Sequence, residues 1–344
     1  MNQHRFLVHS SGQLPDNFIF PEAQEGKFHY LQTADWYDKH TSNHFVTASF
    51  DGEHLVARSI VHKKSLPMRL GNIFRVERGP AAVSDTALCD HIDHLCDFLK
   101  KDGVLIEISP YSESEQTIEK LDGYLLDKKW KKIEATRYFY KNTIVIDLER
   151  TEQEIRSSIR KSFRNLLNRA GRSDMTFEIR PDRSKVDALI AQYNVMAAKR
   201  GLLAIDSAAA DYIHHGTDVG KVIVCVISLD GTQLGGNIML SYQDRLAAEW
   251  GVYSDRGEHR KIPMAHFADW ESLMWAKAQG YKKYDLCGYW LEQGDENSIN
   301  LYKSGFSKNI VSITPEYDYH LKPFAAQSLD AAKALYSRLK KPAA

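Results

Sequence analysis

Two extended runs, Lys221–Leu229 and Gln233–Tyr242, flank the dipeptide Asp230-Gly231. Asp-Gly suits the two-residue turn in which both central residues take positive φ, so the pair reads as an antiparallel hairpin. The run from Val222 to Leu229 is the longest apolar stretch in the chain and has the length of a buried strand. The hairpin fixes the centre of a sheet, and the elements on either side must cover its two faces.

The flanking segments supply that cover. Thr151-Glu-Gln-Glu154 is a capping-box pattern, and the helix it opens is expected to run to about Gly171, with Ile155, Ile159, Phe163, Leu166, Leu167 and Ala170 on one stripe. A strand at Thr176–Ile179 and helices at about Ser184–Lys199 and Ser207–His214 precede the hairpin. After it come a strand Leu246–Tyr253, a basic loop, a helix Met264–Gln279 and a strand Tyr284–Cys287. Helix pair, antiparallel strands, loop, helix, strand is the order of an acyltransferase fold of the acetyltransferase (GNAT) type, a topological analogy that leaves the substrate open. Residues 28 to 145 show strands at His44–Ser49, His54–Val61 and Asn72–Val76, a helix Asp85–Lys101, and strands Val104–Ile108 and Tyr138–Ile146. That half reads as a degenerate copy of the same unit. The expected fold class is therefore α/β with mixed sheets: two tandem GNAT-like domains and no coiled-coil arm. The expected domains are 1–147, 148–322 with the acyl-transfer cleft, and a C-terminal helix in 323–344 packing back on the first domain.

Composition removes several function classes. The 344 residues carry 45 Lys and Arg against 45 Asp and Glu, so attraction to a polyanion must come from a local patch. No segment has the signal-peptide pattern or the roughly 20 apolar residues of a membrane span, and the four cysteines are scattered, so a cytoplasmic location is expected. Cys89, His91, His94 and Cys96 sit within eight residues, but on a helix the cysteines and histidines face opposite sides, so no metal site is expected there. No cofactor motif is found. An acetyl-CoA enzyme of this fold carries Arg/Gln-x-x-Gly-x-Gly/Ala after the third strand, where backbone N–H groups hold a pyrophosphate. Counting from Arg256, His259 stands at the glycine position and Lys261 at the small-residue position. This loop points to a different acyl donor.

Two constellations could carry chemistry. Arg156, Arg160 and Arg164 follow at one-turn spacing on the expected helix, with Lys161, Arg169 and Arg172 nearby, which is either a phosphate-binding row or a solvated face. Glu249, in the strand beside the expected cleft, could deprotonate or position an attacking amine, or pair with a neighbouring arginine.

Several segments together resemble the FemABX family of aminoacyl-tRNA-dependent peptidyltransferases, which add amino acids to peptidoglycan precursors. They are Leu31-Gln-Thr-Ala-Asp-Trp-Tyr-Asp-Lys39, Glu77-Arg-Gly-Pro80, the basic stretch Arg160–Asn165, Tyr284-Asp-Leu-Cys-Gly288 and Tyr302-Lys-Ser-Gly-Phe306. The resemblance implies transfer of an amino acid from the 3′ end of a charged tRNA to an amine of a peptidoglycan precursor or peptide-like metabolite, with membrane-surface contact if the acceptor is lipid-linked. It implies that Lys303 contacts the tRNA end and stabilises developing charge; Glu249, from its place beside the expected cleft, is the second expected catalytic residue. Arg160 and Arg164 would meet phosphates, and Lys39 and Tyr253 the acceptor. Tyr212, Tyr289, Tyr302 and Phe306 complete the expected substrate contacts. Tyr289 stands where the family has a second glycine, Ser307 replaces a glycine after Phe306, and Ala208 replaces an arginine that holds a muramyl nucleotide, which opens the acceptor's identity. The alternatives are an acyl-CoA N-acyltransferase acting on a sugar or polysaccharide precursor, and a non-catalytic binding protein.

Overall fold

The computed structural model describes residues 4–25, 27–39, 43–67, 70–134, 139–259 and 261–323. They form two compact units, one built from the N-terminal part plus the segment after Ser312, the other spanning Tyr140–Ser312.

In the first unit the strands are β1 (His4–His9), β2 (His44–Asp51), β3 (His54–Ser65), β4 (Asn72–Val76), β5 (Ala81–Ala82), β6 (Gly103–Ile108) and β7 (Lys131–Ile133). The helices are α1 (Glu22–Glu25), α2 (Ala34–Lys39), α3 (Asp85–Leu99) and α4 (Glu115–Asp127). Ser84 and Ser114 start α3 and α4 by accepting hydrogen bonds from Ala87 N and Thr117 N. Leu88, Ile92, Leu95 and Leu99 turn one face of α3 onto Phe74, Val76, Ile106 and Ile108 of the sheet. The same side of α3 buries His91, whose ring meets Thr47, Ser49 and Ser59 hydroxyls at 3.3, 2.7 and 2.8 Å.

The second unit contains β8 (Asn142–Asp147), α5 (Glu152–Ser158), α6 (Lys161–Ala170), β9 (Thr176–Ile179), α7 (Arg183–Arg200) and α8 (Ser207–Asp218). It continues with β10 (Val222–Leu229), β11 (Thr232–Tyr242), β12 (Arg245–Tyr253), α9 (Met264–Ala278), β13 (Lys283–Tyr289), α10 (Ser298–Phe306) and β14 (Ile310–Ser312). The strand order is β14-β8-β13-β12-β11-β10-β9, antiparallel except for β12 beside β13. The final strand, β15 (Glu316–His320), leaves this unit and pairs with β6 and β7 of the first sheet.

The fold class expected from sequence is therefore present, with two GNAT-like α/β units. The units divide elsewhere than at residue 147: β8 pairs with β13 and belongs wholly to the second sheet, while β15 belongs to the first. The expected C-terminal helix lies outside the described residues beyond 323, as does the Tyr138 start of the strand now seen as β8.

The long helix expected over 152–170 is two helices. Ile159 is extended (φ −66°, ψ 140°), and Arg160 N donates to Gly305 O at 2.8 Å instead of continuing the helical ladder. Buried Ile159 is thereby turned into the core beside Ile155 and Phe163, and the burial it gains outweighs unbroken helical hydrogen bonding.

Candidate active site

The parallel pairing of β12 with β13 stops early. Arg245, Leu246 and Ala247 face Lys283, Tyr284 and Asp285, and beyond them the strands pair no further, opening a fork. Two irregularities accompany it. On β12, Trp250 faces Ile238 and Ala248 faces Met239, which makes Glu249 the extra residue of a β-bulge. On β13 the register to β8 also slips between Asp285 and Gly288, and Cys287 adopts φ 57°. Across the fork the Cys287 thiol donates to Glu249 Oε2 at 3.5 Å. Burial pushes that thiol well above its ordinary range, so it stays protonated and able to donate.

A buried ion pair sits at the base of the fork. Arg245 Nη1 meets Asp285 Oδ2 at 2.9 Å with both side chains out of solvent, and Asp285 also accepts from Thr143 Oγ1 and, at 2.7 Å, from Cys287 N. These contacts join β8, β12 and β13 and hold the positive-φ residue in place.

Lys303 closes the open side. Its Nζ donates to the Cys287 carbonyl at 3.0 Å and the Gly288 carbonyl at 2.7 Å, and stands 5.8 Å from the Trp290 ring centre. An ammonium has three donors, so two hold the end of β13 and one remains for a ligand. Desolvation lowers its pKa, while Cys287, Asp285 and Glu249 pull the other way. The motif around the lysine sets its position. Phe306 is fully buried, and a Cβ on Gly305 would lie 2.2 Å from the Phe163 ring, so this glycine lets α6 seat against α10. Asn297 caps α10 through Ile299 N and Asn300 N, and buried Asn300 donates to the Trp290 and Gly294 carbonyls at 2.6 and 2.9 Å. The loop before the helix is thus fixed to the helix itself.

Behind the fork lies a polar network that sequence reasoning missed. Asp269 of α9 accepts from Asn237 Nδ2 at 2.8 Å, Tyr284 OH at 3.1 Å and Tyr302 OH at 2.6 Å. Tyr253 OH donates to Asn237 Oδ1 at 2.6 Å, which extends the chain to the end of β12. Burial raises the Asp269 pKa, with the three donors opposing it. A carboxylate among Ala268, Trp270 and Leu273 on a buried helix face is the signal that could have revealed it.

The expected site residues divide. Glu249, Tyr253, Tyr302 and Lys303 gather at the fork and its network. Tyr289 and Phe306 pack in the hydrophobic core of the second unit, and Tyr212 is only 2% exposed. These three side chains are packed in the core. The one-turn spacing expected of the arginine row is broken at Ile159. Arg164 Nη1 donates to the Ser157 and Ile159 carbonyls at 2.9 and 2.6 Å, Arg160 Nη2 to Ser304 Oγ at 3.3 Å, and Arg156 lies over Trp270. They close helix ends and brace α6 against α10. Lys39 ends α2 in the first unit and is exposed.

Residues 154–304 match the acetyltransferase (GNAT) domain family. No curated protein matches the chain in sequence. The solved structure of FemX superposes with a TM-score of 0.74 at 14% identity, covering 89% of this chain and 96% of that one, so the fold is FemABX-like. The C-terminal domain of a putative lysylphosphatidylglycerol synthetase from Agrobacterium fabrum gives 0.56 at 15% identity, covering 88% and 91%. A tandem GNAT protein from the clavulanic acid biosynthesis pathway gives 0.52 at 9% identity, covering 93% and 99%. Among the described residues, no helix is long and apolar enough to cross a membrane.

Proposed function

We propose that the second unit transfers an aminoacyl group from the 3′ end of a charged tRNA to an amine of a peptidoglycan precursor or peptide-like metabolite, forming an amide. The observation that carries this reading is Lys303, held at the open fork with one N–H uncommitted. An aminoacyl ester is already activated, so catalysis requires alignment of ester and amine, removal of a proton from the attacking ammonium, and a donor for the developing oxyanion. Lys303 supplies the donor, and Glu249, kept at the fork by its bulge, takes the proton. The amine adds to the ester carbonyl, the C–O bond to the ribose breaks as the second proton of the nitrogen passes to the departing ribose oxygen, and the amide remains. Arg256-Gly-Glu-His-Arg-Lys-Ile-Pro263 has no glycine pattern to hold a pyrophosphate, which favours tRNA over CoA as donor. The FemX and lysylphosphatidylglycerol synthetase likenesses agree with an aminoacyl donor.

A second reading, an acyl-CoA N-acyltransferase acting on a sugar or polysaccharide precursor, is favoured by the GNAT domain match and the tandem GNAT likeness. Incubating the protein with a set of labelled aminoacyl-tRNAs and a cell-wall precursor extract separates the two. The proposal expects label in a base-stable amide; turnover of acetyl-CoA with no transfer from any charged tRNA would establish the second reading.

A further inference from the structure

The loop after α7 exposes leucines in a way a solvated loop does not require. Leu203 is 90% exposed, the adjoining Leu202 51%, and Val195 on the last turns of α7 59%. The loop is braced at both ends. Gly201, with φ 66°, ends the helix and Leu202 N returns to Ala197 O at 2.9 Å, while Asn194 exchanges two hydrogen bonds with the Ile205 backbone at 2.8 and 2.9 Å. This bracing holds the leucines outward instead of letting them fold back onto the core.

Cations surround the same tip. A cavity of about 410 Å³ beside it is lined by Val195, Met196, Lys199, Arg200, Tyr253 and Arg256, among others. Its one lining carboxylate, Asp255, pairs with Lys199 at 3.2 Å. Arg200 and Arg256 have no ion-pair partner among the described residues. Asp206, the nearest acid along the loop, caps α8 through Ala209 N. Exposed aliphatic side chains flanked by uncompensated guanidinium groups match the layering of a bilayer surface, with acyl chains beneath phosphates.

We infer that this tip docks the second unit onto an anionic membrane surface, with Leu202, Leu203 and Val195 entering the acyl boundary and Arg200 and Arg256 meeting headgroup phosphates. The inference names a surface of the second unit and goes beyond the proposed transferase reading. Docking itself requires neither the donor nor turnover.

The test is sedimentation of the full chain with phosphatidylcholine vesicles, with and without phosphatidylglycerol, alongside titration with soluble glycerol 3-phosphate. The expected result is at least tenfold stronger partition onto the phosphatidylglycerol vesicles. Leu203→Glu is expected to lower that partition at least tenfold, about 1.4 kcal/mol, and Arg200→Glu with Arg256→Glu to abolish the preference for anionic lipid. All three side chains lie on the surface, so unchanged melting temperatures show that the variants fold. Equal partition onto both vesicle types, undiminished binding by Leu203→Glu, or binding of glycerol 3-phosphate without vesicle binding would each overturn the inference. The transfer assay above is run without vesicles, so failure of docking and failure of the transferase reading are separate results.

Discussion

The two units contain the same supersecondary piece, a strand, a covering helix and a parallel strand, and treat it in opposite ways. In the first, β4 and β6 pair at five positions, through Val76 and Ile108, and Arg75 Nε crosses the pair to Glu107 Oε2 at 2.8 Å. In the second, β12 and β13 pair at only three positions, and a bulged glutamate and a lysine from α10 stand where pairing has ceased. One sheet is closed along its centre and the other is open. An α/β topology of this kind supplies a crevice where strands separate, which is why the proposed chemistry is assigned to the second unit.

The largest effect that would sharpen this contrast is on the base of the fork. Asp285→Asn leaves the buried Arg245 guanidinium without its counter-charge, and breaking such a pair costs about 3–5 kcal/mol. Urea unfolding is expected to show the second unit destabilised by that amount, with transfer activity lost at temperatures where the wild type is active.

Next come two glutamates, one from each parallel strand pair. Glu249→Gln is expected to lower kcat about 100-fold, the lower range for a proton-transfer residue, with little change in melting temperature. Glu107→Gln, which breaks the cross-strand pair in the closed sheet, is expected to lower stability and leave kcat within a factor of two. A reversed pattern would break the comparison.

The smallest effect concerns acid. Burial lowers the His91 pKa to about 3 from an ordinary 6.5, so the folded first unit keeps this ring neutral while the unfolded chain takes up a proton below 6.5. Its contribution is therefore complete above pH 6.5 and is lost as pH falls toward 3, amounting to about 2.7 kcal/mol by pH 4.5. His91→Gln is expected to flatten the fall of the first unit's urea midpoint between pH 6.5 and 4.5. In the second unit His266, lowered to about 4 by burial and by Arg169, works in the same direction, weakened by its partial exposure.

Much of this arrangement could be read from the chain. Asp230-Gly231 and its flanking runs marked the hairpin β10–β11, and the capping box at Thr151–Glu154 marked the start of α5. What escaped depends on long-range pairing. Periodicity continued the arginine helix through Ile159 because nothing local signals that Arg160 N will find Gly305, 145 residues away by the numbering. Nor does local pattern show that β15 crosses back to β6, or that Glu249 is a bulge, since a bulge is defined by the partner strand's register. Aromatic residues near the lysine looked alike in sequence. Burial alone separates Tyr302, tied to Asp269, from Phe306 and Tyr289 in the core.

The most direct measurement is single-turnover aminoacyl transfer by Lys303→Met against wild type, with folding followed by near-ultraviolet circular dichroism. Loss of the oxyanion donor is expected to slow amide formation about 100- to 1,000-fold while the native spectrum persists. Transfer at the wild-type rate by the folded variant would show that Lys303 serves only to pin the Cys287 and Gly288 carbonyls, and would contradict the placement of chemistry at the fork.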